Sequence, residues 1–207
     1  MRLTYAVLIL LLALTTFAQC QQSAEEWYNK GAYYYDEGEF DKAIDALDKA
    51  IELEPDYIDA WVLKGEVFFS DERYDDAVKA FDEAIRLDPN HFDAWSGKWE
   101  ALYNAGRYDE AVEAADKLIE LEPDITYGWG AKGMALHQLE KYEEAIQAYD
   151  EAIKIDPEDS EDWYYKGAAL YKLGEYDEAS NAYTKAIEIS PVLYEDTENF
   201  PQDGTIR

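Results

Sequence analysis

An all-α solenoid of five helical hairpins is the fold that this sequence of 207 residues predicts. A tryptophan, a proline and an alanine each recur at intervals of 34 residues, and no insertion interrupts the register. The three columns are Trp27, Trp61, Trp95, Trp129 and Trp163; Pro55, Pro89, Pro123, Pro157 and Pro191; and Ala43, Ala77, Ala111, Ala145 and Ala179. Units of this length stack into one continuous core, because a single unit cannot bury its own apolar face.

The fifth repeat illustrates why each unit is predicted to form a hairpin. Ser160 is the expected cap of a first helix that runs to Leu173, and Gly174 is expected to end it. Tyr176 then begins a second helix, which Pro191 terminates. The apolar stripes of the two helices are Trp163, Gly167 and Leu170 in the first, and Ala179, Tyr183, Ala186 and Ile187 in the second.

A glycine column and an aromatic column complete the repeat. They consist of Gly31, Gly65, Gly133 and Gly167, and of Phe40, Tyr74, Tyr108, Tyr142 and Tyr176. With its Trp, Ala and Pro columns, the chain resembles the tetratricopeptide repeat family. The resemblance implies a right-handed superhelix of five hairpins and a non-catalytic role in holding other proteins. The predicted units are residues 24–57, 58–91, 92–125, 126–159 and 160–193, with a linker at 19–23 and an acidic tail at 194–207.

The first residues have the pattern of a secretory signal peptide. An uncharged apolar run follows Arg2 and ends with the small residue Ala18, so we predict cleavage after residue 18. The run is shorter than the roughly 20 residues of a spanning helix, which leaves an uncleaved membrane anchor as the alternative. Gln19 before Cys20 is a poor match to a lipoprotein signal. We therefore expect an extracytoplasmic protein, either secreted or associated with the cell envelope.

The composition excludes several classes of partner. The chain has 18 Lys and Arg against 47 Asp and Glu, a formal net charge of -29. Phosphate backbones and anionic lipid headgroups repel such a chain, so we expect neither nucleic acid nor direct membrane binding after signal cleavage. One cysteine cannot form an internal disulfide, so the fold has to rest on apolar packing.

No catalytic or cofactor motif stands out in the sequence. His91 and His137 lie in different repeats without metal-site spacing, and the dinucleotide-like run 128–133 falls within a predicted helix rather than after a strand. The acidic stretch 156–162 lacks the alternating ligands of a calcium loop and is interpreted as a helix N-terminus. We expect no enzymatic activity, no cofactor and no metal.

The predicted binding surface is a concave groove formed by the first helix of each hairpin. Repeat positions 2, 5, 9, 12 and 13 fall together on that face, where aromatic and carboxylate side chains dominate. Such a surface suits an extended, basic segment of a partner protein. The candidate residues are Tyr28, Tyr35, Glu66, Phe69, Ser96, Glu100, Tyr103, Tyr127, Gly130, Met134, His137, Tyr164 and Tyr171.

Some family members clamp an acidic C-terminus with Lys and Asn at positions 5 and 9 of a repeat. Tyr28 and Ala32 occupy those positions in repeat 1, and Val62 and Glu66 occupy them in repeat 2. The chain therefore departs from the carboxylate-clamp pattern, and its groove has the opposite charge.

Side-chain volume is missing from the middle of the groove. We predict a pocket with Ser96 and Gly130 as its floor and Glu100, Tyr103, Tyr127, Met134 and His137 as its walls. Gly128 and Gly130 each cost about 1 kcal/mol of helix stability relative to Ala, and packing offers no evident reason for them. The alternative is neutral drift in a tolerant scaffold.

Two further columns have structural interpretations. Trp99 replaces the column glycine in repeat 3, and Ala115 replaces a bulky residue there, so the indole ring is predicted to fill the space that Ala115 leaves. A lysine at position 7 of every repeat is expected to pair with an acid of a neighbouring hairpin. These lysines are Lys30, Lys64, Lys98, Lys132 and Lys166.

The C-terminal edge supports a rival hypothesis. The stripe of Tyr183, Ala186 and Ile187 is expected to be only partly covered by Leu193 and Tyr194. Such an edge favours self-association, or docking as a structural subunit of an envelope or secretion assembly. A third interpretation ascribes the acidity to a saline habitat, and a small-molecule receptor function of the predicted pocket is also left open.

Overall fold

The computed structural model describes residues 22–191, which form ten α-helices paired into five hairpins. The predicted all-α solenoid of tetratricopeptide hairpins is confirmed. The helices are α1 Ala24–Asp36, α2 Phe40–Leu53, α3 Ile58–Ser70, α4 Tyr74–Leu87, α5 Phe92–Asn104, α6 Tyr108–Leu121, α7 Thr126–Gln138, α8 Tyr142–Ile155, α9 Ser160–Leu173 and α10 Tyr176–Ile189. The predicted signal segment 1–18 and tail 194–207 lie outside the described residues, as do Leu193 and Tyr194. No helix within residues 22–191 has the length and apolar composition needed to cross a bilayer.

The hairpins stack so that the first helices form one side of the array. Each second helix packs against the first helix of the next hairpin, and α1 contacts α3, α3 contacts α5, and α7 contacts α9. The approach of α5 to α7 is looser than these three. Because the first helices lie nearest to one another, their outward-facing side chains form the narrower, concave side of the stack.

The tryptophan and proline columns link successive repeats. The indole Nε1 of Trp61, Trp95, Trp129 and Trp163 donates to the carbonyl oxygen of Pro55, Pro89, Pro123 and Pro157, respectively, at 3.1, 2.9, 3.4 and 3.0 Å. Each bond joins the start of one hairpin to the end of the hairpin before it. Both columns are therefore structural, as predicted.

A residue with a positive φ, in the left-handed helical region, lies in the turn between the two helices of each hairpin. Gly38, Gly106 and Gly174 have φ of 73°, 74° and 84°, and Glu72 and Glu140 occupy the equivalent positions with φ of 59°. Gly174 ends α9 as predicted. The predicted cap Ser160 is wrong by one residue: Asp159 is the N-cap, and its carboxylate accepts from the backbone N–H of Glu161.

The glycine column lets the two helices of a hairpin approach closely. A Cβ on Gly65 or Gly133 would lie 2.6 or 2.5 Å from the ring of Phe81 or Tyr149, which faces it from the second helix. In repeat 3 the facing residue is Ala115, fully buried, and Trp99 is only 6% exposed in the same core cluster. This arrangement agrees with the predicted exchange of volume between the two positions.

A ladder of ion pairs runs along the array. Each column lysine from the second repeat onward pairs with an aspartate of the preceding second helix, as predicted. The pairs are Lys64–Asp48, Lys98–Asp82, Lys132–Asp116 and Lys166–Asp150, at 2.5, 2.6, 2.7 and 2.6 Å. Lys30 has no hairpin before it within the described residues, and its ammonium lies 4.6 Å from the ring centroid of Trp27. The paired lysines of this column therefore join successive hairpins and are not available to bind a ligand.

Candidate binding groove

Two adjoining cavities lie on the concave side of the stack. The first, of about 420 Å³, spans repeats 1 to 3, and the second, of about 400 Å³, spans the junctions from repeat 3 to repeat 5. The first cavity is lined by Tyr35, Glu66, Phe69, Ser70, Phe81, Asp93, Ser96, Gly97 and Glu100. The second is lined by Phe69, Trp99, Glu100, Tyr103, Asn104, Thr126, Tyr127, Gly130, Ala131, Met134, Asp159, Glu161, Asp162 and Tyr165. Phe69 and Glu100 belong to both linings, so the cavities form one continuous groove.

A hydrogen-bonded chain joins repeats 3 and 4 where the cavities meet. Ser96 Oγ donates to Tyr127 Oη at 2.8 Å, and Tyr127 Oη donates to Glu100 Oε1 at 3.0 Å. Burial and the neighbouring Glu100 raise the pKa of Tyr127 well above its ordinary value. The phenol therefore stays protonated and holds the Glu100 carboxylate at the boundary between the cavities.

Stacked rings wall the second cavity. The indole of Trp99 stacks on Tyr103 at 5.4 Å between centroids and meets Tyr127 edge-on at 6.0 Å. Gln138 Nε2 donates to Tyr103 Oη at 3.0 Å. These aromatic side chains pack between α5 and α7, where the two helices make fewer direct contacts, and they form the wall of the cavity there.

The groove is negatively charged. Neither lining contains a lysine, arginine or histidine. Desolvation and the charges of Asp93 and Glu100 raise the pKa of Glu66. The acids that line the groove make no ion pair within residues 22–191, whereas acids elsewhere pair repeatedly with lysine and arginine. The charge of the groove is thus left unneutralised by the described part of the chain.

Asp162 is the most deeply buried acid of the groove. It is 6% exposed and lies on the first turn of α9, facing Gly130 of α7. A Cβ on Gly130 would lie 3.1 Å from Asp162 Oδ1, so the missing side chain makes room for the carboxylate. Burial, followed by the charges of Asp159, Glu161 and Asp156, raises the pKa of Asp162 to about 7.

The structure brings most of the predicted groove residues together. Those that line the two cavities are Tyr35, Glu66, Phe69, Ser96, Glu100, Tyr103, Tyr127, Gly130 and Met134. Tyr28 lines neither cavity; its ring packs at a tilt on that of Tyr57, with 5.2 Å between centroids, close to Asp59 and Glu66. Their role in binding is a hypothesis that rests on this placement.

Three further predicted residues, in repeats 4 and 5, lie away from the cavities. Tyr164 packs on Tyr165 and Tyr183, with centroids 5.4 and 5.6 Å apart, and Tyr171 packs on Tyr176 at 5.1 Å. His137 meets the ring of Tyr142 at 5.2 Å, and burial lowers its pKa. Position 12 packs on the aromatic residue that begins the second helix in all five repeats, and it lines the two cavities only in the first three.

The predicted single pocket is wrong in its composition. Ser96 lines the first cavity and Gly130 lines the second, while His137 lines neither. Packing also accounts for Gly128, contrary to expectation, because a Cβ there would lie 3.0 Å from Ile119 Cγ1 and 3.1 Å from the Ile119 backbone nitrogen.

Sequence reasoning missed Asp162 and the contribution of Trp99 to the wall of the second cavity. Position 3 of the repeat is small in repeats 2 to 4, as Ala60, Ala94 and Gly128, and Asp162 stands in that column. A carboxylate in a column of small residues, next to an unexplained glycine at position 5 of the preceding repeat, was the available signal. The acidic stretch 156–162 runs from the C-cap of α8 into the first turn of α9, which is the expected helix N-terminus, but its last residue is buried.

The sequence features that resemble cofactor or metal motifs have structural roles. The dinucleotide-like run 128–133 lies within α7. His91 caps α5, since its Nδ1 accepts from the backbone N–H of Ala94 at 3.2 Å. Within residues 22–191, no group of three or more potential ligands is arranged to hold a metal ion.

The fold and groove define a helical-repeat scaffold of the kind that binds proteins. Tetratricopeptide repeat models match residues 28–92 and 100–160, and a second model of this repeat matches residues 160–191. The chain belongs to the tetratricopeptide repeat family, whose members are typically non-catalytic protein-interaction scaffolds.

Solved structures share the fold at low sequence identity. MamA from Desulfovibrio magneticus RS-1, residue 41 to its end, superposes with a TM-score of 0.76 at 22% identity, over 83% of this chain and 97% of that chain. A further crystal structure of MamA gives 0.75 at 21% identity, over 84% and 95%. YrrB, described as a TPR protein with an unusual peptide-binding site, gives 0.71 at 22% identity, over 86% and 92%. No curated protein sequence matches the chain.

Proposed function

We propose that this protein is a non-catalytic scaffold that acts outside the cytoplasm and binds an extended, basic segment of a partner protein in the groove. The observation that carries the proposal is the set of groove carboxylates without ion pairs among the described residues. A partner with lysine or arginine side chains supplies the missing charge, and the partly buried rings of Tyr35, Phe69 and Tyr103, which line the cavities, supply apolar and cation–π contacts.

The shape of the groove supports an extended ligand. The cavities follow one another across the first helices, and such a surface accommodates a chain with alternate side chains directed into successive pockets. The peptide-binding site named for the YrrB structure is consistent with this use of a tetratricopeptide array.

Peptide binding tests the groove directly. Extended peptides of matched length carrying several lysines and arginines, or glutamates, or neutral residues are titrated against the full chain and followed by fluorescence anisotropy. We expect binding of the basic peptides alone, with an affinity that falls as salt is added. The variant Glu66→Lys, Glu100→Lys and Tyr103→Ala should lose this binding.

A matched variant controls for the change in overall charge. Glu113→Lys and Glu143→Lys alter exposed acids on the second helices α6 and α8, away from the groove. We expect this variant to bind the basic peptides almost normally. Equal loss in both variants would contradict the proposal, since attraction by net charge alone would then explain the binding.

The rival hypothesis of docking through the C-terminal edge has its own variant. Tyr183→Ser and Ile187→Ser change the last described hairpin and leave the groove unchanged. Loss of partner binding in this variant, together with normal binding by the groove variant, would favour the structural-subunit hypothesis. Mass spectrometry of the N-terminus of the exported protein tests the proposed location, with cleavage after Ala18 as the expected result.

A further inference from the structure

The second cavity combines features that the groove as a whole does not share. It lies where α5 and α7 approach each other loosely, and aromatic rings form its wall. Asp162 also lines this cavity, contributed by the first turn of α9. Its volume of about 400 Å³ is within the range of sites that enclose a small ligand or a single side chain.

Asp162 has no partner of its own within residues 22–191. Its carboxylate makes no hydrogen bond or ion pair there, although the residue is 6% exposed. The N-cap function of α9 belongs to Asp159, so capping does not explain the buried carboxylate. A buried, uncompensated carboxylate is costly, and one that lies in a cleft marks a candidate site for a ligand.

The neighbourhood of Asp162 strengthens the need for a cation. The titratable side chains around Asp162 in the described part of the chain are carboxylates and phenols, and the lining of the cavity contains no lysine, arginine or histidine. The titratable groups around it are Asp156 at the end of α8, Asp159 and Glu161 at the start of α9, Tyr165 of α9, Tyr149 of α8, Tyr127 of α7, and Glu100 and Tyr103 of α5.

Resting on the proposed function, we propose that the second cavity is the subsite for one arginine side chain of the bound segment, with Asp162 as its counter-ion. Guanidinium fits this cavity better than ammonium for two reasons. It is weakly hydrated, so it loses less on entering a site where the acid is buried, and its planar face stacks on aromatic rings such as Trp99 and Tyr127. Its paired N–H groups also match both oxygens of one carboxylate.

Gly130 is the position that makes this subsite possible. The carboxylate of Asp162 occupies the space beside its Cα, and any side chain at position 130 would displace that carboxylate or occlude the cavity. The glycine thus has a function in ligand selection, which accounts for its cost to the helix.

A nuclear magnetic resonance titration tests the subsite without an identified partner. The probes are N-acetyl-arginine methylamide and its lysine and citrulline counterparts, added to the full chain labelled with ¹⁵N at tryptophan. The chain has six tryptophans, and the indole signal of Trp99 is assigned by its absence in Trp99→Phe. We expect the arginine compound to shift this signal saturably, the lysine compound to do so more weakly, and the uncharged citrulline compound to leave it in place.

Isosteric variants assign the effect to Asp162. Asp162→Asn should weaken the arginine response by about tenfold or more, since it removes the ionic partner. Glu161→Gln, which removes the same charge from an exposed neighbour in the same lining, should weaken it by less than about threefold. The other five indole signals report whether each variant is folded, and Gly130→Ala gives an independent loss of the response if Asp162→Asn does not fold.

The outcomes separate the subsite from the proposed function. Equal responses to arginine and citrulline, or an unchanged response in Asp162→Asn, would overturn the subsite even if basic peptides bind the groove. A specific arginine response in a chain that binds no extended basic peptide would uphold the subsite and overturn the proposed function.

Discussion

The carboxylate of Asp162 lies against Gly130 of the preceding repeat, 3.1 Å from the point where a Cβ on that glycine would stand. The two residues depart from their columns together, one by adding a buried charge and the other by losing a side chain. The pair imposes a cost on folding, because the carboxylate has to be desolvated. This cost has a measurable dependence on pH.

Asp162→Asn should stabilise the fold at high pH and change it little at low pH. The pKa of Asp162 rises from 3.8 to about 7 on folding, so the folded state binds a proton more tightly than the unfolded chain does. The free energy of unfolding therefore falls as pH rises from about 4 to 7, by up to about 4 kcal/mol for this group. Urea titrations of wild type and variant near pH 5 and pH 8 measure the difference. An equal difference at both pH values would contradict the prediction.

The exchange between Trp99 and Ala115 predicts strong coupling. Ala115→Tyr alone should destabilise the fold by about 1–3 kcal/mol, because the space is already filled. Trp99→Gly with Ala115→Tyr restores the residues that repeat 4 has at these positions, Gly133 and Tyr149, and should recover most of that loss. Thermal unfolding of the single and double variants measures the coupling, and additive losses would count against it.

Replacing the glutamate that has a positive φ in the turns of repeats 2 and 4 with glycine should stabilise the fold. Glu72 and Glu140 have φ of 59°, which costs a residue with a side chain about 1 kcal/mol. Glu72→Gly and Glu140→Gly should each raise stability by a few tenths of a kcal/mol or more, after the greater freedom of glycine in the unfolded chain is subtracted. Gly106→Glu makes the reverse change in repeat 3 and should destabilise the fold by a similar amount. Denaturant midpoints of the three variants provide the comparison.

The ion-pair ladder should contribute modestly and be sensitive to salt. A double-mutant cycle with Lys98→Met and Asp82→Asn should give a coupling energy of about 0.5–1 kcal/mol, because the lysine is 21% and the aspartate 49% exposed. The coupling should shrink at about 1 M KCl, where charges separated by more than roughly 3 Å of solvent are screened. A coupling that grows with KCl would instead favour the interpretation of the acidity as an adaptation to a saline habitat.

Much of the fold was predictable because tandem repeats supply their own alignment. Five copies of each column distinguish packing residues such as Trp61 from residues that vary, and the spacing of Gly174 and Tyr176 locates the turn. The lysine ladder was predictable for the same reason. A position occupied by lysine in every copy has to meet a partner that also recurs, and Asp48, Asp82, Asp116 and Asp150 recur in register.

The groove was less predictable because its chemistry depends on the residues that break the pattern. A helical wheel places position 12 on the groove, yet the ring at this position packs on the second helix in every repeat and lines the two cavities only in repeats 1 to 3. The burial of Asp162 depends on Gly130 in another helix, a relationship that no single-helix periodicity contains. Periodicity thus predicts the scaffold, and only the contacts between repeats reveal the site.

The ion-pair ladder runs in one direction along the array, from an aspartate of one repeat to a lysine of the next, and its aspartate is absent from the fifth repeat. Thr184 occupies the position that holds Asp48, Asp82, Asp116 and Asp150 in the earlier repeats, and its hydroxyl donates to the carbonyl of Ser180 instead. An interior repeat could be duplicated by gene fusion with every lysine still meeting an aspartate. A copy appended behind the fifth repeat would present its lysine to a threonine. Thr184 therefore makes extension behind the fifth repeat less favourable than duplication of an interior repeat, and a longer scaffold should be built by the second route.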